Sequence, residues 1–380
     1  MKVLVLGSGL QGSACAFDLL QAPDVDEVTL ADVRPGDPAT FLTPYSRERL
    51  RYLTLDVSDR SATLAAMRNA QGVLSAAPYY FNGDLAAWAV EAGVHFADLG
   101  GNTEIVFKQK ELHNEAVAKG VSVIPDCGLA PGMVNILTQH GIDKLDRVDQ
   151  VKIFVGGLPQ EPRPPLNYQV VYSLEGMLDY YTTPSWVLRD GRRTQVEALS
   201  EVERVDFDAP VGELEAFHTA GGLSTMAVRY EGEIPTMEYK TLRYPGHVPI
   251  MAAIRDLGML DLEPVQVNGT KIVPRDVAVT VMHKRLTQPG GKDLVALRVI
   301  VSGLRGGKPA TCTFELVDRY DEARGISAMM RCTGYSLSIT GMMQVRGEIR
   351  GAGVLTPDEA MPAERYIKEL KERGVEIRSS

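Results

Sequence analysis

Short apolar runs of strand length alternate with helical stretches over the first third of the chain. The six runs are residues 2–6, 27–31, 51–57, 72–76, 94–99 and 121–125. Most of the segments between them space their apolar residues with helical periodicity. Strands that alternate with helices form parallel, doubly wound sheets. The pattern therefore predicts an α/β fold that begins with a Rossmann-type dinucleotide-binding domain over residues 1–130.

The pattern changes after Pro131 and Gly132, where a helix is predicted over residues 133–142. Runs of strand character follow at residues 148–155, 204–207, 227–230, 238–244, 277–283, 293–304 and 310–318. Several of them alternate apolar and polar residues, which is typical of an antiparallel sheet with one face in solvent. Residues 131–333 are therefore predicted to form a second, α+β domain built on a largely antiparallel sheet.

The last segment, residues 334–380, is predicted to form two helices, at residues 334–350 and 362–373, and a closing strand at residues 375–378. A helix followed by a strand resembles the first domain more than the second. We expect this segment to return to the Rossmann-type domain and complete it.

Composition and charge argue against nucleic-acid-binding and membrane proteins. The chain has 380 residues, of which 44% are hydrophobic and 23% charged, enough for two domains with their own cores. The net charge of −9 arises from interleaved acids and bases without a basic stripe, so no nucleic-acid partner is expected. No apolar run approaches the roughly 20 residues that cross a bilayer, and no leader segment is expected before the first strand. A membrane partner is therefore not expected.

The cysteines are scattered along the chain and lack the spacing of a metal-binding motif. They are Cys15, Cys127, Cys312 and Cys332. This usage is typical of a reducing compartment. We expect a cytoplasmic protein without a metal site.

A G-x-G-x-x-G motif follows the first strand directly, with Leu10 and Gln11 between its glycines Gly7, Gly9 and Gly12. A glycine turn between a strand and a helix is the context of a dinucleotide-binding fingerprint. The first glycine forms a tight turn, the second lets the backbone approach a pyrophosphate, and the third lets helix and strand pack closely. The pyrophosphate lies on free N–H groups at the helix N-terminus. All five residues are predicted to bind the cofactor.

Asp32 ends the second strand about twenty residues beyond the glycines, where an acid hydrogen-bonds the adenosine ribose. A carboxylate at this place repels a 2′-phosphate, so NAD is predicted in preference to NADP. Arg34, two residues further on, leaves NADP open, because an arginine there can accept the phosphate.

Ligands of open α/β sheets bind beyond the carboxyl ends of the strands. The small and polar residues predicted to contact the cofactor at these ends are Asp56, Ala76, Ala77, Pro78, Gly128 and Pro131. Tyr79 is predicted to contact the substrate. Asp98 ends the fifth strand and is predicted to project into the cleft, bind a substrate ammonium and act as the general base. The alternative for Asp98 is a capping role in the glycine turn that follows it.

The segment EYKTLRYPGH in the second domain supplies three further candidates for substrate binding, Lys240, Arg243 and His247. Arginine is the usual bidentate partner of a carboxylate, and Arg243 precedes a Tyr-Pro-Gly turn. The alternative is an edge strand whose cations are simply solvated. Glu175, in the segment YSLEG, is a second candidate for the ammonium and for catalysis, and its alternative is a helix-start Glu beside a Ser cap.

Longer motifs carry these candidates. They read VLGSGLQG, AAPYYFN, ADLGGN, PDCGLAPGMVN, YSLEGMLDYY and EYKTLRYPGH, with the tail GVLTPDEAMPAERYIKELKERGVEI. Through them the chain resembles the saccharopine dehydrogenase-like oxidoreductases over essentially its whole length. Relatives that cleave saccharopine usually have Asp-Pro-Gly where this chain has Ala130, Pro131 and Gly132, which is similar to the lysine-oxidising branch of the family.

The resemblance implies a homodimer that uses a nicotinamide cofactor and a small amino-acid substrate. It implies oxidative deamination of the ε-amine of L-lysine to the semialdehyde, which cyclises to 1-piperideine-6-carboxylate, with release of ammonia. The alternative within the family is a saccharopine dehydrogenase or reductase, which acts on a secondary amine by the same hydride transfer. A non-catalytic NAD-binding sensor on the same fold is a more distant alternative.

Overall fold

Seven parallel strands form the first sheet of the computed structural model, which describes residues 1–36, 38–45 and 48–380. Six of these strands are β1 (Lys2–Leu6), β2 (Glu27–Asp32), β3 (Leu50–Thr54), β4 (Gly72–Ser75), β5 (His95–Asp98) and β6 (Ser122–Ile124). The helices that accompany them are α1 (Leu10–Gln21), α2 (Arg60–Met67), α3 (Asn82–Ala92), α4 (Thr103–Lys110) and α5 (His113–Ala118). The central strands β1 and β4 are buried on both faces, as expected for a parallel sheet covered by helices.

The chain continues into a second domain of longer strands. Its strands are β7 (Arg147–Pro159), β8 (Ser185–Arg189), β9 (Arg192–Val196), β10 (Glu203–Asp206), β11 (Glu213–His218), β12 (Thr236–Arg243), β13 (Val265–Val267), β14 (Thr270–Ile272), β15 (Asp293–Arg305) and β16 (Lys308–Arg319). Its helices are α6 (Met133–Ile142), α7 (Leu174–Thr182), α8 (Met226–Arg229), α9 (His247–Asp256) and α10 (Pro274–Leu286).

The tail contains α11 (Ala328–Val345), β17 (Gly353–Val354), α12 (Pro357–Ala360), α13 (Ala363–Glu372) and β18 (Arg378–Ser379). β17 pairs with β6, so the first sheet has the order β17-β6-β5-β4-β1-β2-β3. α11 packs against α1, so α11 and β17 both contact the first domain. The predicted return is wrong for the closing strand, because β18 pairs with β16 in the second sheet.

The second sheet runs in the order β10-β11-β12-β7-β15-β16-β18, with β8 attached to β12 and β9 attached to β8. Its pairs are antiparallel except for β7 with β12, which are parallel. The predicted fold class, a Rossmann-type sheet with a second domain on a largely antiparallel sheet, is confirmed. β13 and β14 form a separate hairpin.

Two predicted strands are helices in the structure. Residues 227–230 fall within α8 and its C-cap, and residues 277–283 lie inside α10. α10 begins at Pro274, has Asp276 in its first turn, and ends with three basic residues in its last turn. These are helix start and stop signals that complement the helix dipole, and they outweigh the strand-like alternation of valines between them.

α11 is buried along nearly all of its length and contacts both domains, namely α1, β4 and β5 on one side and β15 on the other. It therefore packs on the first sheet and connects that sheet to the second domain. None of the described helices has the length and hydropathy of a membrane span.

Candidate active site

A cavity of about 490 Å³, here called the main cavity, lies between the carboxyl edge of the first sheet and the second domain. The first domain contributes Gln11, Ala76, Ala77, Pro78, Tyr79, Tyr80, Leu99 and Gly100. The loop before α6 contributes Gly128, Leu129, Ala130 and Pro131. The remaining wall comes from β7, α7, β12, nearby loops and α11, so the cavity has a nucleotide-domain end and a second-domain end.

The glycine loop after β1 has the geometry that a dinucleotide requires. Gly7 has a φ of +96°, and a Cβ there would lie 2.8 Å from the carbonyl oxygen of Ala76. A Cβ at Gly12 would lie 1.8 Å from the carbonyl oxygen of Gly7, so α1 can approach β1 only because this residue is glycine. A Cβ at Gly9 would meet open space, which is where a pyrophosphate would lie on the N-terminus of α1.

Gln11 also fits a polar ligand. Both atoms of its side-chain amide are buried without a hydrogen-bond partner among the described residues, and the residue lines the main cavity. A buried amide without a partner is costly, so a polar ligand that pairs with it would stabilise this end of the cavity. The structure brings Gln11 together with the predicted cofactor residues Ala76, Ala77, Pro78, Gly128 and Pro131. These residues fit a pyridine dinucleotide.

Asp32 lies at the end of β2 and turns its carboxylate toward the glycine loop. Oδ2 accepts hydrogen bonds from the backbone N of Ser8 at 2.7 Å and from its Oγ at 3.1 Å, and Oδ1 accepts one from the backbone N of Arg34 at 3.1 Å. Burial would raise the pKa of Asp32, but the hydrogen bonds from Ser8 and Arg34 outweigh burial and lower it. Asp32 therefore places a negative charge beside the loop at neutral pH.

Six predicted cofactor residues do not line the main cavity, namely Gly7, Gly9, Leu10, Gly12, Asp32 and Asp56. Leu10 begins α1 with 56% of its side chain exposed. Asp56 is exposed, and its Oδ1 accepts hydrogen bonds from the backbone N and the Oγ of Ser58 at 2.9 and 2.7 Å. Asp56 thus shapes the turn before α2, which a polar residue at a strand end does as readily as it binds a ligand.

Asp98 does not project into the cavity, which corrects the prediction for this residue. Its side chain is buried at the end of β5, where Oδ1 accepts from the backbone N of Gly100 at 2.7 Å and Oδ2 from Nε2 of Gln109 at 2.6 Å. Burial raises the pKa of Asp98 to about 7, and the hydrogen bond from Gln109 offsets this only in part. Asp98 therefore has the alternative role, that of a cap in the glycine turn, because it accepts from the backbone N of Gly100. Gly100 lines the cavity, and Asp98 does not.

Arg243 is the one basic residue among the described residues that line the main cavity. Only 2% of it is exposed. Its Nη1 donates to the carbonyl oxygen of Leu242 at 2.8 Å, and its Nε has no partner among the described residues. Its guanidinium carbon lies 4.7 Å from the ring centroid of Tyr168, which is a cation–π contact.

No carboxylate forms an ion pair with Arg243 in the part of the chain that the structure describes. The groups that act on it are phenols: burial would lower the pKa of Arg243, but Tyr181, Tyr168 and Tyr172 outweigh burial and raise it. The guanidinium therefore stays charged while buried. A buried cation without an acid is costly unless a ligand supplies the anion, so this end of the cavity suits a carboxylate.

His247 contacts Tyr181 and does not line the main cavity, so the predicted contact with substrate is not found. Its Nδ1 lies 3.1 Å from the carbonyl oxygen of Leu166 and its Nε2 lies 3.0 Å from the hydroxyl of Tyr181. Burial, and then the charge of Arg243, lower the pKa of His247 to about 3, so the ring is neutral. Because a carbonyl only accepts, Nδ1 carries the proton and Nε2 accepts from Tyr181. His247 thus orients the tyrosine that lies beside Arg243.

Lys240 does not line the main cavity, which corrects its predicted role. Its Nζ donates to Oε1 of Glu203 and to the carbonyl oxygen of Glu201, both at 2.7 Å. Side chains alternate between the two faces of a strand, so Lys240 and Arg243, three residues apart on β12, point to opposite faces.

Helix α7 brings two carboxylates to the cavity. Ser173 caps the helix, because its Oγ accepts from the backbone N of Gly176 at 3.2 Å. Glu175 in the first turn and Asp179 one turn later both line the cavity, and Tyr79, the predicted substrate contact, lines it as well. Asp179 is four residues after Glu175, and this spacing could have predicted that both side chains lie on the same face of the helix. Arg275 in α10 holds Asp179 through Nη1 to Oδ1 at 2.5 Å; no sequence pattern indicates this partner.

One grouping of the described residues has the geometry of metal ligands, with donor atoms of Glu201, His218 and Glu238 within 4.8 Å of one another. Nη2 of Arg189 lies 2.8 Å from Oε2 of Glu201 and 2.7 Å from Oε2 of Glu238. The guanidinium already supplies the positive charge between these carboxylates. The grouping is therefore an ion-pair network of the second sheet.

Two family descriptions match this chain. Saccharopine dehydrogenase NADP binding domain matches residues 3–124, and Saccharopine dehydrogenase C-terminal domain matches residues 128–375. The two matches meet in the loop between β6 and α6, which lines the main cavity at Gly128 and Pro131.

Two curated proteins align with the chain over nearly its whole length. Saccharopine dehydrogenase [NADP(+), L-glutamate-forming] of Saccharomyces cerevisiae is 24% identical over 441 residues, which cover 98% of this chain and 97% of the yeast protein. Carboxyaminopropylagmatine dehydrogenase of Synechocystis sp. is 22% identical over 403 residues, which cover 98% of this chain and 96% of that protein.

Two solved structures show the same fold. Apo saccharopine dehydrogenase (L-Glu forming) from Saccharomyces cerevisiae has a TM-score of 0.80 at 22% identity, covering 100% of this chain and 99% of the yeast chain. Homospermidine synthase from Legionella pneumophila in complex with NAD has a TM-score of 0.71 at 10% identity, covering 100% of this chain and 91% of that one.

Proposed function

This chain belongs to the saccharopine dehydrogenase family, and from that premise we propose that it is a nicotinamide-dependent oxidoreductase that oxidises the ε-amine of L-lysine. Lysine, NAD⁺ and water give the 6-semialdehyde, ammonium, NADH and a proton, and the semialdehyde cyclises to 1-piperideine-6-carboxylate. One observation carries the choice of substrate. The main cavity has a single basic residue, Arg243, which is buried without an acid among the described residues.

Lysine carries one carboxylate, which Arg243 would bind at the second-domain end. Saccharopine carries three, and two of them would lack a cationic partner in the cavity as described. Charged groups that lose water without a partner are costly to bury. The balance of charge therefore favours lysine, whose reacting amine suits the carboxylate of Glu175.

The amine must be neutral before it is oxidised, because an ammonium has no lone pair to stabilise the developing cation. Ala76 and Pro78 line the part of the cavity that would hold a nicotinamide, which would supply the hydride acceptor. With Asp98 buried away from the cavity, we assign the proton acceptor to Glu175, which lines the cavity and is exposed enough to release the proton to solvent. Arg243 holds the far end of lysine, so that the ε-carbon extends toward the nucleotide end.

NAD is the proposed cofactor, although the matching family domain is described as NADP binding. The support is the carboxylate of Asp32, which lies beside the glycine loop and whose pKa is lowered. A negative charge at the adenosine ribose opposes a 2′-phosphate. Arg34, whose backbone N bonds to Asp32, is exposed and is the one feature nearby that favours NADP.

Saccharopine oxidation is the second candidate, because the yeast saccharopine dehydrogenase aligns over the whole chain. The test is incubation with NAD⁺ and either amine, with NADH and ammonia measured together. NADH and ammonia from lysine support the proposal. NADH from saccharopine alone supports the second candidate, and because saccharopine oxidation releases an amino acid, ammonia distinguishes the two reactions. Tight NAD binding without turnover of either amine supports a sensor.

A further inference from the structure

A loop of the second domain, residues 219–224, forms part of the wall of the main cavity. It connects β11 to α8, and its residues Thr219 and Ala220 line the cavity directly. The proposed reaction assigns no role to this loop. Whatever holds the loop in place therefore also determines the shape of the cavity.

Two tyrosines of the cavity wall pack against glycines of this loop. A Cβ at Gly222 would lie 2.3 Å from Cγ of Tyr239, so the ring can take its position only because this residue is glycine. A Cβ at Gly221 would lie 3.3 Å from Cε1 of Tyr180. Both tyrosines line the main cavity, so their rings depend on the position of the loop.

Thr219 joins the loop to the strand that carries Arg243. Its Oγ1 lies 2.7 Å from Oγ1 of Thr241 on β12, and both threonines line the cavity. Thr241 and Arg243 are two residues apart on this strand, so their side chains lie on the same face. A displacement of the loop would therefore reach the part of the cavity that suits a carboxylate.

A buried carboxylate of the first domain holds the other end of the loop. Oδ2 of Asp126, which follows β6, accepts from Oγ of Ser224 at 2.5 Å, and its Oδ1 accepts from the backbone N of Gly101 at 3.3 Å. Burial raises the pKa of Asp126 to about 6, and the hydrogen bond from Ser224 offsets this in part. Above this pH Asp126 is a carboxylate that binds one loop of each domain. Asn135 adds a neutral bond, from Nδ2 to the carbonyl oxygen of Gly222 at 3.2 Å.

Both members of the charged contact have a left-handed backbone conformation. The φ angle is +62° at Asp126 and +52° at Ser224. Such angles are unfavourable for residues other than glycine and persist where the surrounding structure determines them. Glycine would fit the backbone at position 224 with less strain, but it has no hydroxyl that could bind Asp126.

We propose that Asp126 is a positioning residue, which acts through Ser224 to hold the 219–224 loop in the place that the substrate requires. Asp126 does not line the main cavity, so its effect on the substrate is indirect. The inference rests on the proposed function for its choice of substrate. Loss of the bond between Asp126 and Ser224 should weaken the binding of lysine and leave NAD⁺ binding and the chemical step nearly intact.

Two substitutions of Ser224 separate this role from a purely structural one. Ser224→Ala and Ser224→Gly should each raise KM for lysine about tenfold, since both lose a hydrogen bond to a charged group, and change kcat and the NAD⁺ dissociation constant less than about threefold. Ser224→Gly should unfold at a higher urea concentration than Ser224→Ala, because glycine fits the left-handed backbone. A structural serine would instead give changes in KM that follow stability.

The matched control is Ser338→Ala. Oγ of Ser338 donates to the buried carboxylate of Asp18, and neither residue lines the main cavity. This control should lose stability and keep KM for lysine. Asp126→Asn should also raise KM, and adding Ser224→Ala to it should raise KM by less than about twofold more, because the two substitutions remove the same contact.

An unchanged KM for lysine in both Ser224 variants, or an equal rise in Ser338→Ala, would overturn the positioning role. Additive effects of Asp126→Asn and Ser224→Ala would overturn it as well, since Asp126 would then not act through Ser224. If the wild type oxidises saccharopine and not lysine, the lysine assignment fails and KM for saccharopine takes its place in the comparison. Turnover with unchanged KM removes the positioning role alone, whereas a wild type that oxidises neither amine removes the proposed function and this role together.

Discussion

Lys240 and Arg243 are buried cations on the same strand, β12, but their surroundings are opposite. Lys240 belongs to an ion-pair network in which Glu203 accepts from it at 2.7 Å and from Lys152 at 3.1 Å. Arg243 faces a cavity and a group of tyrosines, with no carboxylate partner in the described part of the chain. The charge of Lys240 is neutralised by the fold, whereas that of Arg243 is left for a ligand.

The comparison shows how to separate structural from functional cations. Removing one member of an internal ion pair leaves its partner uncompensated, so the cost appears in stability. A cation without an acid costs stability in the free protein, and its benefit appears only when the anionic ligand binds. Substitutions at the two positions should therefore have opposite signatures in kinetics and in unfolding.

The largest effect is expected at Arg243. Arg243→Ala should lower kcat/KM for lysine at least about thirtyfold, because a lost buried ion pair costs roughly 2–5 kcal/mol. Arg243→Lys should restore only part of the activity, since a point charge does not replace the bidentate fork. Steady-state kinetics check this, with the NAD⁺ dissociation constant as the control. A weakened NAD⁺ affinity, or unchanged lysine kinetics, would place the substrate pocket elsewhere.

At the nucleotide end, the residues to compare are two acids at neighbouring strand ends, Asp32 and Asp56. Asp32 lies beside the glycine loop, whereas Asp56 accepts hydrogen bonds from Ser58. Asp32→Ala should raise KM for NAD⁺ about tenfold, from the loss of a charge-assisted hydrogen bond worth ~1.5–3 kcal/mol, and should relax discrimination against NADP⁺. Asp56→Ala is the matched acid at the next strand end, and its KM should change less than twofold. An unchanged cofactor preference in Asp32→Ala would show that Asp32 is not at the ribose.

Lys240→Met should lower the stability of the protein and leave lysine kinetics nearly unchanged, which is the reverse of the effect expected for Arg243→Ala. The substitution leaves Glu203 without its closest cation, so the free energy of unfolding should fall by about 1–3 kcal/mol, while kcat/KM for lysine stays within about twofold. Urea denaturation and steady-state kinetics on one preparation measure both quantities. Loss of lysine turnover without loss of stability would mean that the two cations share the substrate and that the comparison fails.

The smallest effect concerns pH. Burial would raise the pKa of Glu203, but hydrogen bonds from Lys240 and Lys152 outweigh it and lower the pKa below its ordinary value of 4.5. A depressed folded pKa contributes stability above the unfolded pKa, and this stability is lost as the pH falls through the folded value. Acidification below 4.5 should therefore lower the Tm of the wild type more than that of Lys240→Met. Parallel pH profiles of the two proteins would contradict this.

The first domain was largely predictable because the sequence features that determine it are short segments that can be identified one at a time. Strands buried on both faces appear as continuous apolar runs, and Gly7 and Gly12 occupy positions where the backbone leaves no room for a side chain. The placement of Lys240 was also accessible, since alternation along β12 separates it from Arg243. The helical character of residues 277–283 was available from the acid and bases at the ends of α10.

The rest of the site depends on contacts between distant segments. Asp98 is drawn away from the cavity by Gln109, a partner on the following helix. Tyr168, Tyr181 and His247 come from three separate segments and meet only around Arg243. No spacing in the sequence encodes this grouping, because Tyr168 lies in the loop before α7, Tyr181 in α7 and His247 at the start of α9.

The proposed reaction depends most directly on the binding of the substrate carboxylate by Arg243. Cadaverine, 1,5-diaminopentane, is lysine without that carboxylate. Measuring kcat/KM for both amines with the wild type and with Arg243→Ala closes a cycle that isolates the interaction between the two groups. We expect the wild type to prefer lysine by at least about thirtyfold and Arg243→Ala to lose this preference. A preference that persists in Arg243→Ala would contradict it.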